Sequence, residues 1–105
     1  MNGTGQPLTE AMFYILLALH QPLHGYGITL EIEEMTEGRL KLGAGTLYGA
    51  LKTMQKNGWI EKVGEVRDSR GKKEYRITAL GKEVFEAEIL RLRELLENAE
   101  RMKNR

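Results

Sequence analysis

The spacing of apolar residues changes twice along this chain, and the order of those changes limits the possible folds more than any other feature. Apolar residues first recur at intervals of three and four, which indicates helices with one buried face. These helical segments are residues 8–19, 25–35 and about 44–57. The interval then falls to two in residues 59–66 and 73–77, as in a β-hairpin, and helical spacing returns from Thr78 almost to the C-terminus. We therefore expect a mainly α fold with a small β-hairpin.

The order of helix, helix, helix, hairpin and long helix is that of a winged helix-turn-helix followed by one extra helix. In this layout the third helix enters the major groove of DNA and the hairpin flanks it. We assign residues 1–77 to a winged helix-turn-helix DNA-binding domain and residues 78–105 to a C-terminal dimerisation helix, within a single structural unit. Thr9 and Thr78 are the expected N-caps of the first and last helices, because their hydroxyls can accept from free backbone N–H groups.

The charge of the chain divides unevenly, although its formal net value is only +1. Residues 1–37 hold five acidic residues and no Lys or Arg, residues 38–76 hold ten basic and four acidic residues, and the remainder holds six of each. The three net charges are therefore −5, +6 and 0. This division predicts an anionic partner for the middle segment, unless the bases merely cluster on a solvated surface.

The third predicted helix carries the residues most suited to DNA. Gly43, Ala44 and Gly45 open it, and the free N–H groups of a helix start favour a phosphate there. The alternative is that the glycines only serve a tight helix start. No Gly-Lys-Ser/Thr follows, so this is not a nucleotide-binding loop. The candidate DNA-binding residues on this helix are Thr46, Tyr48, Lys52 and Lys56. Tyr48 could also pack at the edge of the core and offer only its hydroxyl.

The tip of the predicted hairpin is also basic. Its candidate DNA-binding residues are Arg67, Arg70, Lys72 and Lys73. Long cationic side chains on a hairpin suit a phosphate backbone or a minor groove. A charged tip can equally serve solubility, but its place beside a basic third helix favours DNA binding.

The sequence offers no catalytic residues, and we expect no cofactor. It contains no cysteine, and Ser69 has no histidine within reach in the sequence. His20 and His24 are four residues apart, but Pro22 between them disrupts a shared helical face, so we predict no metal site. His24 is expected to brace the start of the second helix. No segment is apolar enough to span a membrane, and the first residues do not resemble a signal peptide, so we expect no membrane partner and a cytoplasmic location.

The last predicted helix has an apolar stripe with nearly heptad spacing. Its residues are Phe85, Ile89, Leu92, Leu96 and Ala99. A helix of this length, at about 1.5 Å per residue, is longer than a small three-helix core can cover. We therefore predict a homodimer in which this helix packs against its copy. The alternative is a helix folded back onto its own domain.

Four stretches of the chain resemble the PadR-like transcriptional regulators, specifically the short type with one C-terminal helix. The stretches are Leu-His-Gly-Tyr-Gly-Ile at 23–28, Gly-Thr-Leu-Tyr-Gly-Ala-Leu at 45–51, Asn-Gly-Trp-Ile at 57–60 and Lys-Lys-Glu-Tyr-Arg-Ile-Thr-Ala-Leu-Gly-Lys at 72–82. They occur in the family's order and span most of the chain. Two positions depart from the family pattern: Gly49 stands where proline is usual, and Glu74 where an aromatic or neutral residue is common.

The resemblance implies a dimeric repressor that binds pseudo-palindromic double-stranded promoter DNA. By matching position, the resemblance assigns Thr46, Tyr48 and Lys52 to the recognition helix. It assigns Arg70, Lys72 and Lys73 to the wing. It also implies release by a small hydrophobic or phenolic effector, in cavities at the dimer interface near the first and last helices. A winged-helix scaffold that binds a protein without DNA is the alternative function, and the basic third helix argues against it.

Overall fold

The structure, a computed structural model, describes residues 6–65 and 73–105, which form four helices and three strands. In chain order the elements are α1 (Glu10–Ala18), β1 (Leu23–His24), α2 (Gly25–Met35), α3 (Ala44–Lys56), β2 (Ile60–Glu65), β3 (Lys73–Ile77) and α4 (Ala79–Lys103). The predicted order of three helices, a hairpin and a long helix is confirmed.

The strand β1 was not expected from the sequence. It pairs antiparallel with β3, with Leu23 opposite Tyr75 and His24 opposite Glu74, and makes a sheet of order β1-β3-β2. With only two residues, β1 is too short for any periodicity to appear, and it exists because α1 and α2 bring it to the free edge of β3. The expected hairpin is therefore the larger part of a three-stranded sheet.

Three helices begin at side chains that accept a hydrogen bond from a backbone N–H of the first turn. Met12 N donates to Thr9 Oγ1 over 3.1 Å, and Gly81 N donates to Thr78 Oγ1 over 3.0 Å. Both predicted caps are thus confirmed. Gly27 N donates to His24 Nδ1 over 3.2 Å, so His24 does brace the start of α2.

The core lies between α1, the inner faces of the other helices and one face of the sheet. Its buried apolar residues are Ile15, Leu16, Ala18, Leu19, Ile28, Ile32, Leu47, Leu51, Met54, Trp59, Ile60, Tyr75, Ile77, Val84 and Phe85. The helix α1 is central, since Ile15, Leu16 and Leu19 have no exposed surface. Ile60 lies opposite Ile77 across β2 and β3, so one face of the hairpin closes this core.

The first part of α4 packs into the core formed by the rest of the chain. Phe85 is only 4% exposed, stacks on Phe13 with ring centroids 5.0 Å apart, and meets the edge of His20 at the same separation. This corrects the expectation that Phe85 forms part of a dimer seam, because α1 supplies an aromatic partner within the same chain. The helix leaves the core soon afterwards, and every residue from Arg93 onward is exposed.

A buried carboxylate ties the segment before α1 to α4. Glu88 is 4% exposed, and it accepts hydrogen bonds from Arg91 Nε at 2.8 Å, Arg91 Nη2 at 2.6 Å and Leu8 N at 3.3 Å. The Arg91 hydrogen bonds hold the pKa of Glu88 below its usual value, against the opposing effect of burial. Glu88 tolerates burial because these three N–H donors satisfy its carboxylate oxygens.

Within residues 6–65 and 73–105, no helix combines the length and the hydropathy needed to cross a membrane.

Candidate nucleic-acid interface

The burial of α3 determines which of its side chains face outward. Leu47, Leu51 and Met54 are at most 2% exposed and pack into the core. The remaining faces of a helix fixed in this way must point to solvent. The candidates Thr46, Tyr48, Lys52 and Lys56 are indeed all exposed. The structure therefore brings these four residues onto the outer surface of one helix.

The start of α3 is bare. Gly43 is its N-cap, with φ −74° and ψ 161°, and no side chain caps the first turn. Neither Gly43 nor Gly45 has a positive φ, and a Cβ on either would meet no atom of the described residues within 4 Å. No conformational or packing requirement therefore demands glycine at these two positions. What the two glycines provide, with exposed Ala44 between them, is an unobstructed backbone beside the free N–H groups of the first turn.

Six of the ten basic residues of the middle segment fall into two groups. One group is neutralised by carboxylates: Arg39 pairs with Glu10, Lys41 with Glu33 and Arg76 with Glu61. Two of these carboxylates belong to the acidic residues 1–37, so the tertiary structure cancels part of the charge division seen in the sequence. In the other group, Lys52, Lys56 and Lys73 form no ion pair within the described part of the chain.

The predicted wing residues can be placed only in part. Lys73 is exposed at the first residue of β3. Arg67, Arg70 and Lys72 lie outside the described residues. The position of Lys73 puts one cation of the predicted tip at the end of the sheet.

Tyr48 is exposed to solvent and also packs against the start of α2. Its side chain is 52% exposed, yet its hydroxyl lies so close to the start of α2 that a Cβ on Gly25 would be 2.3 Å from it. The buried Gly25 is therefore the residue that lets Tyr48 pack across the first turn of α2. Gly25 and the exposed Tyr26 lie in the Leu-His-Gly-Tyr-Gly-Ile stretch at 23–28, but the sequence assigned neither of them a role.

The distal part of α4 exposes a large apolar surface. Leu90, Leu95, Leu96 and Met102 are each at least half exposed, as large apolar side chains. Of the predicted dimerisation residues, Leu96 and Ala99 are exposed, Leu92 is half-buried, and Ile89 packs partly against the core. The accessible stripe thus begins near Leu92 rather than at Phe85.

A groove of about 370 Å³ lies between the segment before α1 and the start of β2. It is lined by Gln6, Pro7, Leu8, Thr9, Met12, Asn57 and Trp59. Trp59 is 7% exposed, and within the described residues its Nε1 has no hydrogen-bond acceptor. The groove is uncharged and close to the first helix.

The family model that matches this chain and two solved structures that it resembles are those of transcriptional regulators. The sequence model of the transcriptional regulator PadR-like family matches residues 15–87. A PadR family transcription regulator from Clostridium difficile R20291 is 26% identical with a TM-score of 0.72, covering 90% of this chain and 98% of that one. A transcriptional regulator from Clostridium thermocellum is 25% identical with a TM-score of 0.66, covering 90% and 89%.

A curated relative is similar over a shorter stretch. An uncharacterised protein of Lysinibacillus sphaericus is 37% identical over 67 residues, which are 63% of this chain. The matched stretch spans 62% of that protein's length.

Proposed function

This chain belongs to the transcriptional regulator PadR-like family, and from that premise we propose that it binds double-stranded promoter DNA as a homodimer and represses a nearby promoter. It is a transcriptional regulator and not an enzyme. In the proposed complex α3 enters the major groove and the hairpin of β2 and β3 lies alongside.

The observation that supports DNA binding is that α3 combines two lysines without a carboxylate partner in the described residues with a first turn that no side chain of those residues caps. Lys52 and Lys56 lie one helical turn apart and have no carboxylate partner in the described residues, so their charges remain available to phosphates. The first turn adds free N–H groups where Gly43 and Gly45 offer no side chain to block an approaching backbone.

The outer residues of α3 then divide the work of recognition. Thr46 and Tyr48 are near the N-terminal end, where recognition helices meet base edges, and their hydroxyls can donate or accept. Lys52 and Lys56 are farther along and suit the phosphates, which set the position of the protein on the duplex. Lys73 would contact the backbone from the hairpin.

The dimer is supported by the exposed stripe of α4. Leu95, Leu96 and Met102 lie on one side of α4 and are each at least half exposed, and a soluble monomer rarely exposes a contiguous surface formed by residues as apolar as these. Packing this stripe against its two-fold copy removes it from water, and the two copies of α3 would then reach major grooves about 34 Å apart.

We include in the proposal a small hydrophobic or phenolic effector at the dimer interface. Its binding would change the separation of the two copies of α3 and so release DNA without touching the DNA contacts. The groove beside Trp59 lies next to α1, near the expected place for such a molecule. Trp59 is the single tryptophan of the chain, so its fluorescence during titration with a phenolic acid would report binding there directly.

The DNA-binding proposal is tested by measuring affinity for a fluorescent duplex of about 30 base pairs at several salt concentrations. We expect the affinity to fall at least about 1000-fold between about 50 and 200 mM salt, because released counterions oppose binding. Lys52→Ala should reduce the slope of log affinity against log salt by about two, one for each copy in the dimer.

The matched control is Lys103→Ala, which removes the same charge at the far end of α4. It should leave the slope unchanged. Salt-independent binding, or equal slopes for the two variants, would contradict the proposal and favour the protein-binding scaffold.

The dimer is tested by sedimentation at micromolar concentration. Leu96→Asp places a carboxylate in the exposed stripe and should yield monomers, whereas Asn98→Asp, 200° around the helix, should remain dimeric. A monomeric parent protein would refute the interpretation of α4.

A further inference from the structure

We propose that Tyr26, at the start of α2, is a further DNA-contacting residue whose phenol hydroxyl donates to a backbone phosphate beside the α3 interface. This inference rests on the proposed function, because it adds a second helix to the same DNA-binding surface.

The first support is the exposure of Tyr26. It is 64% exposed, as much as any large apolar side chain on the distal part of α4. Among the described residues the side chain of Tyr26 makes no hydrogen bond and no ring contact. The rings of Phe13, Tyr14 and Phe85, in contrast, each contact another aromatic ring. The exposed phenol hydroxyl of Tyr26 is therefore available to donate a hydrogen bond to a bound partner.

The second support is its position relative to α3. The hydroxyl of Tyr48 lies over Gly25, at the distance that leaves no room for a Cβ. Tyr26 follows Gly25 directly, with its Cα about 3.8 Å farther along the chain. The first turn of α2 and the outer surface of α3 therefore meet at Tyr48, and Tyr26 lies next to the residues already assigned to DNA.

The electrostatics at this place favour an anion. The first turn of α2 contains no carboxylate, and the first acidic residue of the helix is Glu31, five residues beyond Tyr26. The positive end of the helix dipole lies at the same turn. His24 takes the N–H of Gly27 as the cap, which fixes the turn while leaving the phenol to act outward.

The general geometry of the helix-turn-helix places a residue at the start of α2 close to the DNA backbone. The helix before the recognition helix crosses the DNA backbone, and tyrosine hydroxyls are among the groups that contact phosphates. A neutral phenol replaces no condensed counterion, so its contribution differs from that of a lysine in a measurable way. It should add affinity without adding salt dependence.

The experiment compares Tyr26→Phe with the parent protein on the same duplex of about 30 base pairs and on an unrelated sequence of equal length. Removing only the hydroxyl should weaken binding by about 5- to 10-fold on both duplexes, with the salt slope unchanged. Leu30→Ala is the matched control: Leu30 is one turn later on α2 and 46% exposed, and its loss should not change affinity. Because Tyr26 is exposed, Tyr26→Phe should unfold at the parent temperature.

The outcomes separate this inference from the proposed function. If the parent protein does not bind DNA, the proposed function fails. If the parent binds, Lys52→Ala weakens binding and Tyr26→Phe does not, then only the role of Tyr26 is refuted. A loss confined to one of the two duplexes would also overturn it, since it would show a base contact in place of a phosphate contact.

Discussion

Gly81 lies where α4 crosses the start of the hairpin, and Gly81→Ala should destabilise the protein strongly. A Cβ at this position would be 2.1 Å from the backbone oxygen of Trp59 and 2.7 Å from Cγ1 of Ile77. Contacts of a real Cβ essentially never fall below 3.0 Å, so α4 would have to move by about 1 Å.

The carbonyl of Trp59 cannot yield freely. It accepts a hydrogen bond from Thr78 N at 2.9 Å, and Thr78 is also the cap of α4, so displacing the carbonyl disturbs both contacts. Overpacking of this kind costs about 1–3 kcal/mol, and a lost hydrogen bond adds about 1. The helix propensity of alanine returns about 1 kcal/mol. We expect the free energy of unfolding to fall by about 2 kcal/mol.

The assay is thermal and urea unfolding at one fixed protein concentration, since dimerisation couples stability to concentration. A loss of this size should lower Tm by about 8–16 °C in a chain of this length. Gly49→Ala is the matched control, because it makes the same change at an exposed position inside α3, where the part of the chain that the structure describes has no atom within 4 Å of the new Cβ. It should raise the free energy of unfolding by about 1 kcal/mol.

Opposite signs for one chemical change would show that contact, not helix propensity, decides the outcome at Gly81. If the free energy of unfolding of Gly81→Ala lies within about 0.5 kcal/mol of the parent value, as is typical of surface substitutions, the described packing of α4 on β2 is refuted.

Two further outcomes follow from the structure. Because the folded pKa of Glu88 is lowered below its usual 4.5, its stabilising contribution is present above pH 4.5 and is lost as the pH falls through the lower folded value. Glu88→Gln should therefore lower the free energy of unfolding by about 1–2 kcal/mol at pH 7 and by progressively less as the pH falls below 4.5, as measured by urea unfolding. A difference that does not change with pH would contradict the lowered pKa of Glu88. Gly25→Ala should push the hydroxyl of Tyr48 off α2 and weaken DNA binding about fivefold while Tm changes by less than about 3 °C, because the end of a tyrosine side chain can move. If Gly25→Ala binds DNA with the affinity of the parent protein, the packing of Tyr48 against Gly25 is not needed for binding.

The elements that local patterning specifies were predictable. Spacing of three and four marks a helix with one buried face wherever it occurs, and the faces of α3 followed from Leu47, Leu51 and Met54. The caps at Thr9 and Thr78 were equally accessible, because capping depends on residues within one turn.

Contacts between distant segments were not predictable in the same way. Phe85 and Leu96 belong to one stripe in the sequence, yet Phe85 packs on Phe13 while Leu96 is 64% exposed. The stripe alone does not reveal where the core ends, since that depends on which part of α1 lies against α4.

The sequence by itself determined the order of the four helices and the hairpin, the outward face of the third helix and the basic middle segment, because each is encoded in neighbouring residues. The tertiary structure decided which charges remain free, since Glu10 and Glu33 neutralise Arg39 and Lys41 from another part of the chain. It also placed Tyr48 over Gly25, beside Tyr26. The physical reason is that charge and contact depend on distance in space, which the spacing of residues along one helix or strand does not contain.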